Sequence, residues 1–181
     1  MAVSCQSRQE IDGLILRTPE NLIKKRGGAM KHAKIEELPE KHKCKHPDYE
    51  HTRRDFVPRG YARSTQVSVY EVPPGKSAYP YHYHLQDEET FYILSGRGLL
   101  RTPAGEREVG PGELLFFPAG SAGAHKLTNL SGTEKLVYID FDVIHELDAA
   151  MYPDSGKIGI WGMDTNKIYP LDGDVDYYKG E

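Results

Sequence analysis

The sequence has little cysteine, no long apolar run and no dense charge of one sign, and each absence excludes a class of protein. Only two of its 181 residues are cysteines, too few for the several bridges that hold small secreted domains together. No stretch approaches the roughly 18 consecutive apolar residues of a membrane helix, and the first residues contain no apolar signal core. We therefore expect a cytoplasmic protein without a membrane partner.

The formal charge of −4 is divided unevenly along the chain. Residues 1–60 hold 13 Lys and Arg against 9 Asp and Glu, whereas residues 61–181 hold 10 against 18. The basic residues of the first part are interspersed with acids, which is too weak a pattern for a nucleic-acid-binding surface. We expect no nucleic-acid partner.

Glycine, proline and tyrosine are abundant, at 18, 12 and 12 residues, and they favour β-structure and turns. After Ser64, short apolar or aromatic runs end at Gly, Pro or Asn about every 8–12 residues, which predicts an antiparallel sandwich or barrel. No helical pattern separates these runs, which argues against a parallel sheet. The predicted strands are Ser64 to Val72, Ala78 to His84, Glu89 to Leu94, Gly98 to Arg101, Glu113 to Phe117, Ala124 to Thr128 and Glu134 to Val143.

The chain divides into three predicted parts. Residues 1–60 form an N-terminal arm with a short helix after Thr18, which packs on the barrel or on a partner subunit because so short a helix is unstable alone. Residues 61–145 form the β-barrel. Residues 146–181 form the C-terminal part. A short helix, Ile144 to Met151, leads from the barrel into it and is followed by an acidic, glycine-rich tail.

Two histidines and a glutamate fall at positions that indicate a metal site. His82 and His84 share a face of one predicted strand because alternate side chains point the same way. On the next strand Phe91 and Ile93 are expected inside, and parity brings Glu89 in with them. A buried carboxylate needs a cation or hydrogen-bond donors. A divalent ion is one candidate partner, and a metal-free polar cluster is the alternative.

Two motifs in this region resemble those of the cupin family. The first reads Gly75-(x6)-His82-x-His84-(x4)-Glu89-(x6)-Gly96, and the second reads Gly112-(x5)-Pro118-x-Gly120-(x4)-His125-(x3)-Asn129. The resemblance covers about residues 64–143 and extends to uncharacterised small single-domain cupins. It implies an all-β, single-domain, double-stranded β-helix, which is a jelly-roll barrel.

The resemblance also implies that one divalent transition metal binds to His82, His84, Glu89 and His125. Mixed imidazole and carboxylate ligands suit Mn, Fe, Ni, Co, Cu or Zn, and affinity order alone does not choose among them. The gap before His125 is two residues longer than in the usual motif. We nevertheless prefer His125 to His145, since Asn129 keeps the family's spacing to His125 and His145 lies outside both motifs.

A second histidine-rich segment, His42 to His46 with His51, is a weaker candidate for a metal site. It has no second Cys or His pair and lies among lysines, so we interpret it as a solvated basic loop.

Aromatic residues around the motifs yield two further expectations. Tyr79, Tyr81 and Tyr83 are expected to face away from the histidines and to be buried by a second subunit or by the N-terminal arm. Four apolar residues are either pocket walls or core, namely Phe91, Ile93, Leu115 and Phe117.

The leading functional hypothesis is a metal-dependent small-molecule enzyme, with dioxygenation favoured by family frequency alone over sugar-type isomerisation and decarboxylation. No catalytic acid or base is fixed by spacing. The alternative is a non-catalytic small-ligand-binding or sensor cupin. Family resemblance also implies a homodimer.

Overall fold

The computed structural model describes residues 29–162 and 164–181. In these ranges the chain is built of β-strands joined by turns, with three short 3₁₀ turns at Ile35–Glu37, Ser121–Gly123 and Pro153–Ser155 and no α-helix. None of these residues belongs to a helix with the length and apolar character needed to cross a membrane. The strands are β1 (Glu40–His46), β2 (Tyr49–Val57), β3 (Thr65–Val72), β4 (Tyr83–His84), β5 (Glu88–Ser95), β6 (Gly98–Thr102), β7 (Gly105–Val109), β8 (Leu114–Phe117), β9 (Lys126–Asn129), β10 (Leu136–Val143), β11 (Leu147–Tyr152), β12 (Lys157–Gly162) and β13 (Thr165–Pro170).

The strands form three antiparallel sheets around one core. The largest has the order β1-β2-β3-β10-β5-β8, the second β13-β12-β11-β4 and the third β7-β6-β9. The core is formed by buried residues of the first and third sheets and by Ala78, which lies between β3 and β4; it consists of Tyr70, Val72, Ala78, Phe91, Ile93, Leu100, Val109, Leu115, Phe117, Leu127, Leu136 and Tyr138. The expected all-β jelly-roll fold is confirmed.

Strand β10 lies in the middle of the largest sheet and decides which side chains enter the barrel. Its burial alternates residue by residue, with Tyr138, Asp140 and Asp142 inside and Phe141 and Val143 exposed. The apolar residues of its second half therefore face outward and the acids face inward, opposite to the usual arrangement of a half-buried strand.

A bend at Gly96 separates β5 from β6. Its φ of +82° is left-handed, and a Cβ at this position would lie 2.4 Å from the carbonyl oxygen of Lys135. Only glycine satisfies both conditions without backbone movement. The last glycine of the first motif is therefore required by the fold.

The predicted C-terminal helix is wrong. Residues Leu147–Tyr152 form β11, which pairs with β12 on one side and with β4 on the other. Asp148 and Ala150 are buried at every second position, a strand period. Pairing on two edges outweighs the weak helical propensity of the segment. Two further strands, β12 and β13, occupy part of the predicted tail.

The sheets also extend beyond the predicted barrel at the N-terminal side. Strands β1 and β2 lie within the predicted arm of residues 1–60, and β2 pairs with β3 in the largest sheet. Strand β7 was not predicted, because its sequence is mostly charged and only Val109 is buried. The short helix predicted after Thr18 lies outside the described residues.

The tyrosine stripe differs from its prediction because Pro80 interrupts the strand and only Tyr83–His84 are paired as β4. The Tyr79 hydroxyl lies 3.1 Å from that of Tyr70, inside the barrel. The Arg101 guanidinium lies 4.1 Å from the ring centre of Tyr81, and Tyr81 is only 9% exposed. The chain itself therefore covers these two rings.

Candidate metal centre

The four residues implied by the two motifs lie together inside the barrel. His82 and His125 face each other across an isolated bridge, with backbone N–H to carbonyl distances of 3.1 and 2.9 Å in the two directions. His84 follows on β4, and Glu89 lies near the start of β5. Backbone pairing between the two motifs therefore positions the group, including the histidine that follows the longer gap.

Three imidazole nitrogens converge on one carboxylate oxygen. The Nε2 atoms of His82, His84 and His125 lie 3.9, 3.7 and 3.4 Å from Glu89 Oε2. Two atoms bound to one ion at about 2.1 Å each can be at most about 4.2 Å apart. Each histidine is therefore close enough to share an ion with Glu89. Ligand atoms of His82, Glu89 and His125 lie within 4.8 Å of one another, a set that does not include His84.

The other ring nitrogen of each histidine has an acceptor. His82 Nδ1 lies 2.9 Å from the carbonyl of Pro80, and His125 Nδ1 lies 2.9 Å from the carbonyl of Gly123. A carbonyl only accepts, so Nδ1 carries the proton in both rings and Nε2 presents a lone pair. His125 Nε2 is buried without a hydrogen-bond partner. Lone pairs that face a carboxylate without a donor between them suit a cation.

His84 is held differently, by a side chain from outside both motifs. Its Nδ1 lies 2.5 Å from Asp148 Oδ2. Burial alone would lower the pKa of His84, but the hydrogen bond to Asp148 and the charge of Glu89 outweigh it and raise that pKa to about 9. The carboxylates therefore favour the protonated, positively charged form of the His84 ring.

Burial governs the charge of the remaining three groups. It lowers the pKa of His82 to about 4, with the charge of His84 adding to the effect, and it lowers the pKa of His125 well below its ordinary value. It raises the pKa of Glu89 to about 7, against the opposing effect of His84. Two of the three rings are therefore neutral imidazoles, the form in which histidine binds metals.

Residues 68–142 match the cupin domain family, and both motifs lie in this range. This range of the chain is a cupin domain. It matches no protein of curated function.

Solved structures of other proteins share the fold over most of the chain. A candidate sugar phosphate isomerase from Acidithiobacillus ferrooxidans is 25% identical, with a TM-score of 0.69 over 78% of this chain and 91% of that one. A sugar phosphate isomerase from Silicibacter pomeroyi is 17% identical, with a TM-score of 0.71 over 80% and 95%. A polyketide cyclase from Streptomyces resistomycificus is 26% identical, with a TM-score of 0.55 over 65% and 81%.

Two carboxylates beside the cupin motif glutamate were missed by the sequence analysis. Asp140 and Asp142 are 4% and 9% exposed, and one oxygen from each lies within 4.8 Å of an oxygen of Glu89. Gln66 donates to Asp142 at 3.0 Å, but the Oδ1 atoms of both aspartates are buried without a partner. Burial and the neighbouring charge of Asp142 raise the pKa of Asp140 well above its ordinary value.

The rival histidines lie elsewhere. His145 contacts Asp87, with its Nδ1 3.1 Å from Oδ1, and its side chain is 46% exposed. His42, Cys44 and Glu50 bring potential ligand atoms within 4.8 Å of one another, but Cys44 is disulfide-bonded and His42 is 56% exposed. His51 is buried and packs against tyrosine rings.

Two cavities border the core near His125, on which the Phe117 ring stacks at 3.6 Å between ring centres. The smaller, of about 10 Å³, touches His82, His125 and Phe91. The larger, of about 340 Å³, is lined by Leu100, Thr102, Pro103, Ala104, Arg107, Leu115, Phe116, Phe117, Ala122 and Ala124. Of the four predicted wall residues, three thus border a cavity; Ile93 borders neither of these two, and all four are core residues.

Proposed function

We propose that this cupin binds one divalent transition metal through His82, His84, Glu89 and His125 and acts on a small molecule there. The convergence of three Nε2 atoms on one buried carboxylate oxygen supports this proposal most directly. Three imidazoles and a carboxylate suit Mn, Fe, Co, Ni, Cu or Zn, and such a set leaves positions open for a substrate.

When bound, the ion would act as a Lewis acid on an oxygen atom of the substrate. The chain's own residues orient the ligands and keep bulk water out. The Pro80 and Gly123 carbonyls fix the rings of His82 and His125. Phe91 and Phe117 pack against His125, and their apolar surface lowers the local dielectric and strengthens charge interactions.

For the reaction class, we propose isomerisation of a small hydroxycarbonyl compound ahead of dioxygenation. Isomerisation moves protons and needs no oxidant, and the carboxyl groups of Asp140 and Asp142 adjoin the proposed ligand Glu89. The likeness to the candidate sugar phosphate isomerase of A. ferrooxidans points the same way. Dioxygenation, decarboxylation and a homodimeric assembly stay predictions from family resemblance.

A non-catalytic metal-binding cupin is the second candidate, and one observation favours it. The cavity against His82 and His125 has a volume of only about 10 Å³, which is room for about one water molecule. A site that never admits a substrate would have this form.

Metal analysis tests the binding proposal. Wild-type protein should retain about one ion per chain by elemental analysis after gel filtration, as a four-ligand site predicts. The His82→Ala variant should lose it, whereas the matched variant His42→Ala, which removes the exposed histidine of the weaker cluster, should keep it. A metal-free wild type that takes up no added ion, or loss of metal only in His42→Ala, would reject the proposed site.

Isotope exchange tests the reaction class. Metal-loaded protein should catalyse deuterium incorporation from D2O into carbon positions of an aldose or ketose panel, read by NMR, without oxygen uptake. Oxygen uptake with product formation would favour dioxygenation instead. A panel recovered unchanged and unlabelled would favour the non-catalytic candidate.

A further inference from the structure

The orientation of His84 depends on a residue that neither cupin motif contains. We propose that Asp148 is a positioning residue of the metal centre: it holds the Nδ1–H of His84 so that Nε2 is fixed as a strong nitrogen donor. This inference rests on the proposed function and deepens it, since it assigns a role in metal affinity to strand β11.

The contacts of Asp148 leave its carboxylate one orientation. Its Oδ2 lies 2.5 Å from His84 Nδ1, and its Oδ1 accepts the backbone N–H groups of Gln86 at 2.8 Å and Asp87 at 3.2 Å. Its side chain is 0% exposed. Both oxygens are thus engaged in a buried setting, so the carboxylate cannot rotate away from the imidazole without leaving polar groups unpaired.

The strand that carries Asp148 is attached to the histidine strand by backbone pairing. Ala150 pairs with His84 and Met151 with Tyr83, and the N–H of Leu85 donates to the carbonyl of Ala149 at 2.8 Å. All of β11 lies beyond residues 68–142, the range that matches the cupin domain. The positioning group therefore lies outside both motifs and outside the matched range.

The three histidines are not equivalent in their support. His82 and His125 each donate to a neutral carbonyl two residues earlier in the chain, whereas His84 donates to a carboxylate 64 residues later. Hydrogen bonds to a charged acceptor are roughly twice as strong as neutral ones. A carboxylate behind an imidazole fixes the tautomer and makes the ring a more basic ligand. We infer that His84 is the strongest nitrogen ligand of the three.

The Asp148→Asn variant tests this role. An amide presents only one acceptor oxygen, so either His84 or the two backbone N–H groups lose their partner. Metal affinity, measured with Zn²⁺ against a competing chelator, should fall about 10- to 100-fold, the usual effect of losing an outer partner of a metal-bound histidine. The matched control is Asp154→Asn, which removes the same charge just beyond the end of β11, where Asp154 pairs with Arg101; its affinity should be unchanged.

A double-variant cycle separates positioning from a general structural role. If Asp148 acts through His84, the double variant His84→Ala/Asp148→Asn should bind Zn²⁺ no more weakly than His84→Ala alone. The ¹⁵N shifts of His84 in the zinc-bound protein should show a protonated Nδ1 and a metal-bound Nε2 in the wild type, with the Nδ1 signal moved in Asp148→Asn.

The outcomes distinguish a failure of the proposed metal site from a failure of the role inferred for Asp148. A wild type that binds no Zn²⁺ overturns the proposed function and this inference with it. A wild type that binds Zn²⁺ beside an Asp148→Asn variant of equal affinity overturns only the inference. The same holds if the two substitutions prove additive, since Asp148 would then act independently of His84.

Discussion

The motif region, residues 75–129, and strand β11 contribute to the same centre in different ways. The motif region holds all four proposed ligands, and it orients two of the histidines with carbonyls two residues away. Strand β11 holds no proposed ligand, but its Asp148 orients the third histidine from 64 residues further along the chain. The residues that would bind the ion are therefore close together in sequence. A residue that orients one of these ligands can lie far from them in sequence.

The largest expected effect comes from removing charge within the motif region. Glu89→Gln keeps the shape of the side chain but removes the anion on which the three Nε2 atoms converge. Metal affinity should fall by more than the ~100-fold that loss of an outer partner can cost. Isothermal titration with Zn²⁺ checks this. A smaller loss than in Asp148→Asn would reverse the proposed ranking of the two regions.

Metal removal should affect the two regions unequally. An ion supplied at about 1,000 times its dissociation constant stabilises the folded state by about 4 kcal/mol, so chelation should lower the melting temperature by about 12 °C in a chain of this size. Hydrogen exchange should show the greatest loss of protection in β4, β5 and β9 and the least in β12 and β13. Uniform loss, or none, would contradict the location of the ion.

A motif residue that does not bind metal should affect stability without affecting affinity. Asn129 is 1% exposed; its Nδ2 donates to the carbonyls of Val72 and Glu134, and its Oδ1 accepts the N–H of Ser131. Asn129→Ala strands these groups and should lower the free energy of unfolding by about 2–3 kcal/mol. Urea denaturation measures the loss. A variant as stable as wild type would show that the motif asparagine is not structural.

The smallest predicted effect is a gain in stability, whereas the preceding predictions are losses of metal affinity or stability. Because the pKa of Asp140 is raised in the folded protein, ionisation of this carboxyl destabilises the folded state at pH 7. This destabilisation decreases as the pH falls toward 4. Asp140→Asn keeps a donor for Asp142 and removes the charge, so the metal-free protein should become about 1 kcal/mol more stable at pH 7. Urea denaturation at both pH values checks this. Destabilisation at pH 7 would mean that the Asp140 charge is compensated in the fold.

The sequence predicted the motif region well because its signals are local. Turn residues bounded β3, β5 and β10 closely, and strand parity placed Phe91 and Ile93 inside with Glu89. The hydrogen bonds of Asn129 to Val72, Ser131 and Glu134 hold the turn that follows β9. The choice of His125 as the fourth residue of the site was made from its spacing to that asparagine.

The remaining parts depended on contacts between distant residues. Asp148 lies in a segment interpreted as helix, and only its pairing with β4 and β12 makes it a strand residue that faces His84. Asp140 and Asp142 were missed because the apolar residues between and beyond them, Phe141 and Val143, read as the buried face. In β10 the acids face inward and the apolar residues face outward. This reversed pattern was itself a signal of a functional site, since local rules tend to fail at such sites.

Anomalous-difference crystallography of the metal-loaded protein tests the central claim most directly. The account predicts one peak per chain, about 2.0–2.2 Å from the three Nε2 atoms of His82, His84 and His125 and from a carboxylate oxygen of Glu89. Data collected at the absorption edge would also identify the element. A peak at His42 and Glu50, or no peak in a crystal grown with excess metal, would contradict it.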